Sequence, residues 1–325
     1  LTNTGAVVNI QKTRVNEMRA HILEALRDRT DYVSGDKLSR QFGISRVSVW
    51  KHIRGLKKDG YVIDASPRGY RLVFSPDLLL PYEFPGLEQR IHHFREIGST
   101  MDAARELAKR GAKEGTIVIA EAQTHGRGRL SREWLSPEGG IYFTILLRPR
   151  ISPAYAPRIN LMASVAVAAT IRKLFGLKAE LKWPNDVLIG GRKVCGILAE
   201  MDAELDAVNY VNVGIGINAN SSVAGFEKTA TSLKDILGKE ISRKELLRVL
   251  ITEIEQRQAL LMKPDLLKEG KELSVTLNKE VRIMSLGEEV VGQATDIDGS
   301  GALVVKQKDG SLRTVLVGDC IHLRE

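Results

Sequence analysis

Cysteine is nearly absent from this 325-residue chain. Cys195 and Cys320 stand far apart, with no CxxC or Cys/His spacing, which argues against a disulfide scaffold and against a zinc site. Long apolar runs are missing as well. The longest, residues 161–171, is about half of the roughly 20 residues that a membrane helix needs, so no membrane partner is expected. Residues 1–14 show no basic stretch leading into a sustained apolar one, so no secretory leader is expected there and the natural compartment is cytoplasmic. Such a length suggests two or three domains.

What is present is a charge asymmetry. The net charge is +8, and residues 1–75 hold 14 Lys/Arg against 7 Asp/Glu while the rest holds 34 against 33. Basicity confined to one end points to a nucleic-acid contact there. From about Val15 to Arg27, Met18, Ile22, Ala25 and Leu26 recur at helical spacing. Ser34 precedes a short second helix that Gly43 stops, and Ser45 can cap a third in which Val49, Ile53 and Leu56 face inward. Two short helices across a glycine turn make a helix-turn-helix. Two β-rich runs then meet at Ser66-Pro67-Arg68-Gly69, which predicts a hairpin wing with an arginine at its tip. A basic three-helix protein-interaction module is the alternative, but the charge excess, the cap and the wing together favour DNA. In that setting Ser45, Arg46 and Ser48 are candidates for reading bases, and Lys51, His52 and Arg68 for phosphates. Trp50 reads as a core residue.

Residues 75–86, with Pro76, Pro81 and Pro85, read as a linker. Beyond it Ser99 and Thr100 sit directly before a helix, where hydroxyls either cap the helix or meet polar groups of a ligand. The most distinctive stretch follows. Between two β-branched runs lies a loop, EAQTHGRGRLSREW, in which Gly126 and Gly128 allow close backbone approach while Arg127, Arg129 and Arg132 bring three guanidinium groups into a short span. That composition suits a polyanion. An Ala-rich helix over residues 155–175 leads to ELKWPNDVLIGGRKVCGILAEM, a hairpin that gathers Lys182, Asn185, Asp186 and Lys193 at its turns. A glycine-bearing strand then ends at Asn218. Strands joined by hairpins predict a mixed or antiparallel sheet with helices on one face, an α+β domain. After residue 275, short β-rich runs separated by Gly/Asp turns predict a small five-stranded β-barrel without a catalytic cluster.

Taken together, GRGRLSREW at 126–134, KWPND at 182–186, GRKVCGIL at 191–198 and GIGIN at 214–218 resemble a biotin protein ligase. The helix-turn-helix makes the chain similar to the bacterial ligases that also repress the biotin operon. The resemblance runs from about Val15 nearly to the end and departs at Ser131, where the loop commonly carries another glycine. It implies a winged helix-turn-helix over residues 1–75, a class II synthetase-like ligase domain over 76–272 and an SH3-like barrel over 273–325. It also implies a function: ATP-dependent formation of biotinyl-5′-AMP, transfer of biotin to a lysine of a biotin carboxyl carrier protein, and repression at an operator by a homodimer when the adenylate is bound. Biotin would meet Ser99, Thr100, Met101, Gln123, Arg127, Gly128, Arg129 and Lys193. Arg127, Arg129, Arg132, Trp134, Asn185, Asn218 and Phe226 would border the ATP or adenylate. Arg129, Lys182, Asp186 and Lys193 would be catalytic, with Mg2+ on the phosphates and no metal site of the protein's own. The neutral amine that attacks the adenylate would lose its proton to Asp186 or to the phosphate. A ligand-sensing repressor with a degenerate ligase site, or a lipoate or octanoate transferase, would not need the full set of Arg127, Arg129, Lys182, Asp186 and Lys193, nor KWPND beside a helix-turn-helix.

Overall fold

A computed structural model describes residues 3–27, 29–223, 229–285 and 287–323. The chain divides into two compact units, Leu1–His93 and Phe94–Glu325.

In the first unit, α1 (Asn3–Leu26), α2 (Gly35–Phe42) and α3 (Arg46–Lys58) precede an antiparallel hairpin of β1 (Val62–Ser66) and β2 (Gly69–Phe74). Both expected caps form: the Ser34 hydroxyl accepts from the Lys37 amide and the Ser45 hydroxyl from the Ser48 amide, each at 3.1 Å. Gly43 ends α2 in the left-handed region, where a side chain would be strained. Ile22, Leu23, Leu26, Leu38, Val49, Ile53 and Leu56 form the core. The first helix starts at Asn3 rather than near Val15, since residues 3–14 hold no proline to stop it. Trp50 is not in the core: its side chain is exposed on the outer face of α3. Nor is the segment after the wing an open linker. Leu79, Tyr82 and Phe84 are buried, the Tyr82 hydroxyl donates to Asp59 at 2.6 Å, and Glu83 bonds Tyr61 and Arg27. The prolines there shape a packed turn.

The second unit is built on a seven-stranded sheet of β3 (Ile91–Ile97), β4 (Ile117–Gln123), β5 (Ile141–Leu147), β6 (Ala179–Lys182), β7 (Asp186–Ile189), β8 (Arg192–Ala203) and β9 (Val208–Ile217). Their spatial order is β3-β4-β5-β9-β8-β7-β6, and the ladders from β4 to β6 are antiparallel, those of β6 to β9 through consecutive hairpins and that of β5 with β9 across the long helix-bearing connection that follows β5. The helices are α4 (Thr100–Lys109), α5 (Ala156–Phe175), α6 (Leu233–Leu237), α7 (Arg243–Gln258) and α8 (Pro264–Leu273). They are not confined to one face. Thr144 bonds Thr100 of α4, and Gly214 touches Met101, on the face that also carries Gly196 and Gly216. Leu181, in one cross-strand row with Val187, Cys195, Ile217 and Ile141, meets Leu161 and Ser164 of α5 on the other. Every residue of β5 is therefore buried.

The C-terminal strands β10 (Glu280–Ser285), β11 (Glu288–Ile297), β12 (Leu303–Lys306), β13 (Leu312–Val315) and β14 (Asp319–His322) form an antiparallel sheet in the order β13-β12-β11-β10-β14. Among the described residues no ladder joins β13 to β14. Val281, Ile283, Ala294, Leu303 and Val305 make its core, and Trp183 from the central sheet completes it. The Trp183 indole donates to Gly301 O at 3.4 Å and Arg158 of α5 to Gly299 O at 2.9 Å, which fixes this sheet against the turn after β6 and against α5.

Candidate functional site

The largest concentration of polar side chains facing one space lies over β8 and β9, in an open cleft with about 960 Å³ of unoccupied space. Its floor depends on two glycines. A Cβ on Gly196 would come within 2.7 Å of the Trp134 ring, and one on Gly216 within 2.4 Å of its indole nitrogen. The absence of side chains there lets the indole lie against the sheet. Lys193 Nζ stands 5.1 Å from the ring centroid, a cation–π distance. The Trp134 Nε1 is buried against Gly216 and makes no hydrogen bond among the described residues.

The arginine loop leaves β4 and folds back on itself through an Arg127–Glu133 bridge. Gly126 is required sterically, because a Cβ there would lie 2.3 Å from Trp134 O. Each arginine has a different partner. Arg127 donates to Asp102 at 2.9 Å and lies 3.4 Å from Glu200. Arg129 donates to Asn185 Oδ1 at 3.2 Å and to Gly318 O at 3.1 Å, and burial lowers its pKa from the ordinary value. Arg132 grips Asp319 with two bonds, 3.1 and 2.5 Å, which hold that carboxyl below the usual aspartate range.

At one wall Gln123 organises the turn into α4. Its Oε1 accepts from the Thr100 amide at 2.8 Å and from the Thr100 hydroxyl at 3.0 Å, and its Nε2 donates to Ser136 at 2.8 Å. Ser99 caps α4 by accepting from the Met101 amide at 3.3 Å. Both residues line the cleft, but only the Ser99 hydroxyl caps the helix, while that of Thr100 is held by Gln123 and Thr144. At the other wall Lys193 and Asp186 form an ion pair of 2.8 Å, and Asn185 Nδ2 is fixed on Ile197 O at 2.9 Å. The cleft thus gathers three guanidiniums and an ammonium beside Glu133, Asp186 and Asp319, and the cations can bind and polarise a phosphate or carboxylate when they exchange these partners.

Ser99, Thr100, Met101, Gln123, Arg127, Gly128, Arg129, Arg132, Trp134, Asn185, Asp186 and Lys193 all line this one cleft. Lys182 does not. It lies with Trp183, Ser164 and Asn160 in a second cavity that meets the first at Arg129. Asn218 is buried beside the cleft and donates to Thr231 O at 3.1 Å. Phe226 lies outside the described residues. Three carboxylates went unseen in the sequence: Asp102 and Glu200, which engage Arg127, and Asp319, which lines the cleft from β14. The C-terminal sheet thus contributes to the site it was expected only to flank. No local motif marks Asp319; the Gly318-Asp319 pair at a strand start is the sole cue.

In the first unit Ser45 is committed to its cap, and Ser48 and His52 are half-buried at the sides of α3; burial and the Arg19 charge lower the His52 pKa. Arg46 and Lys51 are exposed, and Arg68 stands over the Tyr32 ring at 5.2 Å.

Three family models match: "Biotin/lipoate A/B protein ligase family" over residues 94–218, "HTH domain" over 19–71 and "Biotin protein ligase C terminal domain" over 276–323. The chain is 39% identical over 298 residues to the bifunctional ligase/repressor BirA of Bacillus spizizenii, covering 86% of this chain and 91% of that one. Its identity to the protein of that name from Escherichia coli is 30% over 317 residues, covering 93% and 96%. The solved biotin protein ligase of Aquifex aeolicus, in complex with biotin and ATP, superposes with a TM-score of 0.62 at 29% identity, covering 73% of this chain and 99% of that one.

Proposed function

Since the chain belongs to the family of bifunctional biotin ligase/repressor proteins, we propose that the cleft over β8 and β9 carries out both steps of protein biotinylation. The observation that carries this is the convergence of Arg127, Arg129, Lys193 and Asp186 around a glycine floor beneath Trp134. In the first step a biotin carboxylate oxygen attacks the α-phosphorus of ATP, forming the mixed anhydride and releasing pyrophosphate. Two anions must approach one another, and fixed cations in a partly dried site offset that repulsion. Arg129, held by Asn185 and Gly318, is placed to meet the phosphate; Lys193 meets the carboxylate by exchanging its Asp186 partner. Thr100 and Gln123 suit a polar ureido ring. Trp134, whose ring lines the cleft over the glycine floor, suits the adenosine, and Lys182 serves from the adjoining cavity. A magnesium ion would enter with the triphosphate and neutralise it, since the described residues form no carboxylate cluster that would hold a metal by themselves.

In the second step a neutral lysine amine of a carrier protein attacks the acyl carbon, AMP leaves, and the amide forms. Asp186, freed when Lys193 turns to the acyl group, is placed to take the amine's proton. The arginine loop shields the anhydride from water meanwhile. A biotin-dependent pyrophosphate release assay tests the first step; no release from folded protein would reject it.

The same family membership assigns the first unit to DNA. A single helix-turn-helix reads one half-site, so repression calls for a dimer, and we assign the adenylate as its trigger. The edge strand β3, beside the strand from which the arginine loop leaves, is the natural seam. An allosteric coupling of about 1–3 kcal/mol would suffice to link loop order to dimerisation. Carrier protein would compete for the same edge. Gel-shift and sedimentation measurements should show operator binding tightened by biotin plus ATP and reversed by excess unmodified carrier. The C-terminal strands are assigned an SH3-like form, which the register shift in β11 between Ala294 and Asp296 supports by bending the sheet. The working location is cytoplasmic, where two buried, unpaired cysteines are at home; among the described residues no helix is long and apolar enough to cross a membrane.

A further inference from the structure

The outer face of α3 is not simply basic. Val47, on the face opposite Val49, Ile53 and Leu56, is 62% exposed, and Trp50, one turn on and at the flank of that buried stripe, is 47% exposed. The fold gains nothing from leaving a valine and a tryptophan in water, and each carries a cost proportional to its apolar area. The Trp50 ring is also held in place, with the Arg54 guanidinium carbon 5.1 Å from its centroid. Both side chains open onto a cleft between α3 and the wing turn, which Arg46, Ala65, Pro67 and Tyr70 also line.

An apolar centre with a cationic rim selects among partners. Arg46, Lys51 and Arg54 surround the pair, and among the described residues the carboxylate paired with this face is Asp36, 3.4 Å from Arg46. That rim fits a polyanion. In the DNA major groove, the apolar group on a base edge is the C5 methyl of thymine. Val47 is the second residue of α3, at the helix end that enters the groove in this motif. We propose that Val47 and Trp50 are specificity-determining residues that read a thymine C5 methyl in each half-site, with Arg54 fixing the Trp50 ring. This rests on the DNA-binding reading above.

The test separates the two. Full-length protein with biotin and ATP selects duplexes from a random-sequence pool, and the selected duplex is resynthesised with each thymine in turn replaced by deoxyuridine, which removes the methyl alone. For the parent protein at least one replacement per half-site should weaken binding roughly fourfold, the worth of one buried methyl. The penalty should vanish in Val47→Ala or Trp50→Ala and persist in Val47→Thr, which keeps a γ-methyl. Both sites are exposed, so the variants should keep their melting temperature and ligase activity; should Trp50→Ala bind no duplex, Trp50→Phe takes its place. Binding without any uracil-sensitive position, or with sensitivity undiminished in the variants, overturns the proposal and leaves DNA binding standing. Loss of the dimer with sensitivity retained would assign the patch to a second copy of the chain and overturn it too. A parent protein that enriches no sequence removes the DNA-binding reading along with the proposal.

Discussion

Arg132 and Asp319, 187 positions apart in sequence, are joined by two hydrogen bonds that tie the arginine loop to the first residue of the last strand. The Arg132 side chain is largely exposed, so the pair adds little stability, about 0.2–1 kcal/mol. Its effect is positional. Asp319→Ala should leave the melting temperature within a few degrees of the parent and weaken retention of the adenylate, measured as dissociation of biotinyl-5′-AMP. Because Asp319 has a lowered pKa when folded, its contribution is present above the usual aspartate range and is lost as pH falls through the folded value. The difference between parent and variant should therefore close on acidification, and a difference that widens in acid would contradict the pairing.

The glycine floor gives a second expectation. Gly216→Ala places a methyl where the Trp134 indole nitrogen now lies, 2.4 Å away. The ring must move, so tryptophan fluorescence should shift and ATP affinity should fall while biotin binding at Thr100 and Gln123 is spared. Equal losses for both ligands would mean that the floor supports the whole sheet rather than the adenosine side.

Lys193→Ala removes the ammonium paired with Asp186 at 2.8 Å. Adenylation should drop by about 100-fold or more, the usual worth of a charge-stabilising group, whereas transfer from preformed adenylate should suffer less. Equal impairment of both steps, in single-turnover measurements, would give Lys193 a different role.

Truncation is a fourth case. Removing residues 1–75 should abolish DNA binding, but it also strips the partners of Tyr82 and Glu83, which bond Asp59, Tyr61 and Arg27. A chain starting near residue 90 should ligate as well as the parent and melt more sharply than one starting at residue 76. The opposite order would return 76–89 to the role of an open linker.

Much of this was legible because the signals were local. GRGR, KWPND and GRKVCGIL each span a single turn or hairpin, so adjacency singled out Arg129, Lys182, Asn185, Asp186 and Lys193 and the resemblance supplied their roles; all but Lys182 line one cleft. Caps at Ser34 and Ser45 are equally short-range. What escaped was set by tertiary contact. Asp319 and Glu200 reach the loop only after the C-terminal sheet docks and β8 pairs with β9, and no periodicity encodes that. Trp50 lies at the flank of the buried Val49, Ile53 and Leu56 stripe of α3, where a hydrophobic side chain does not by itself mean burial. The prolines of the 75–86 segment hid the buried Leu79, Tyr82 and Phe84 around them.

The most direct measurement is the intact mass of a biotin carrier domain after incubation with this protein, biotin and ATP. The ligase reading predicts a gain of one biotin on a single lysine, dependent on ATP. Arg129→Ala, which leaves Asn185 and Gly318 without their shared donor, should slow that gain by roughly 100- to 1,000-fold. No gain from folded parent protein, or a gain that needs no ATP, would contradict the assignment.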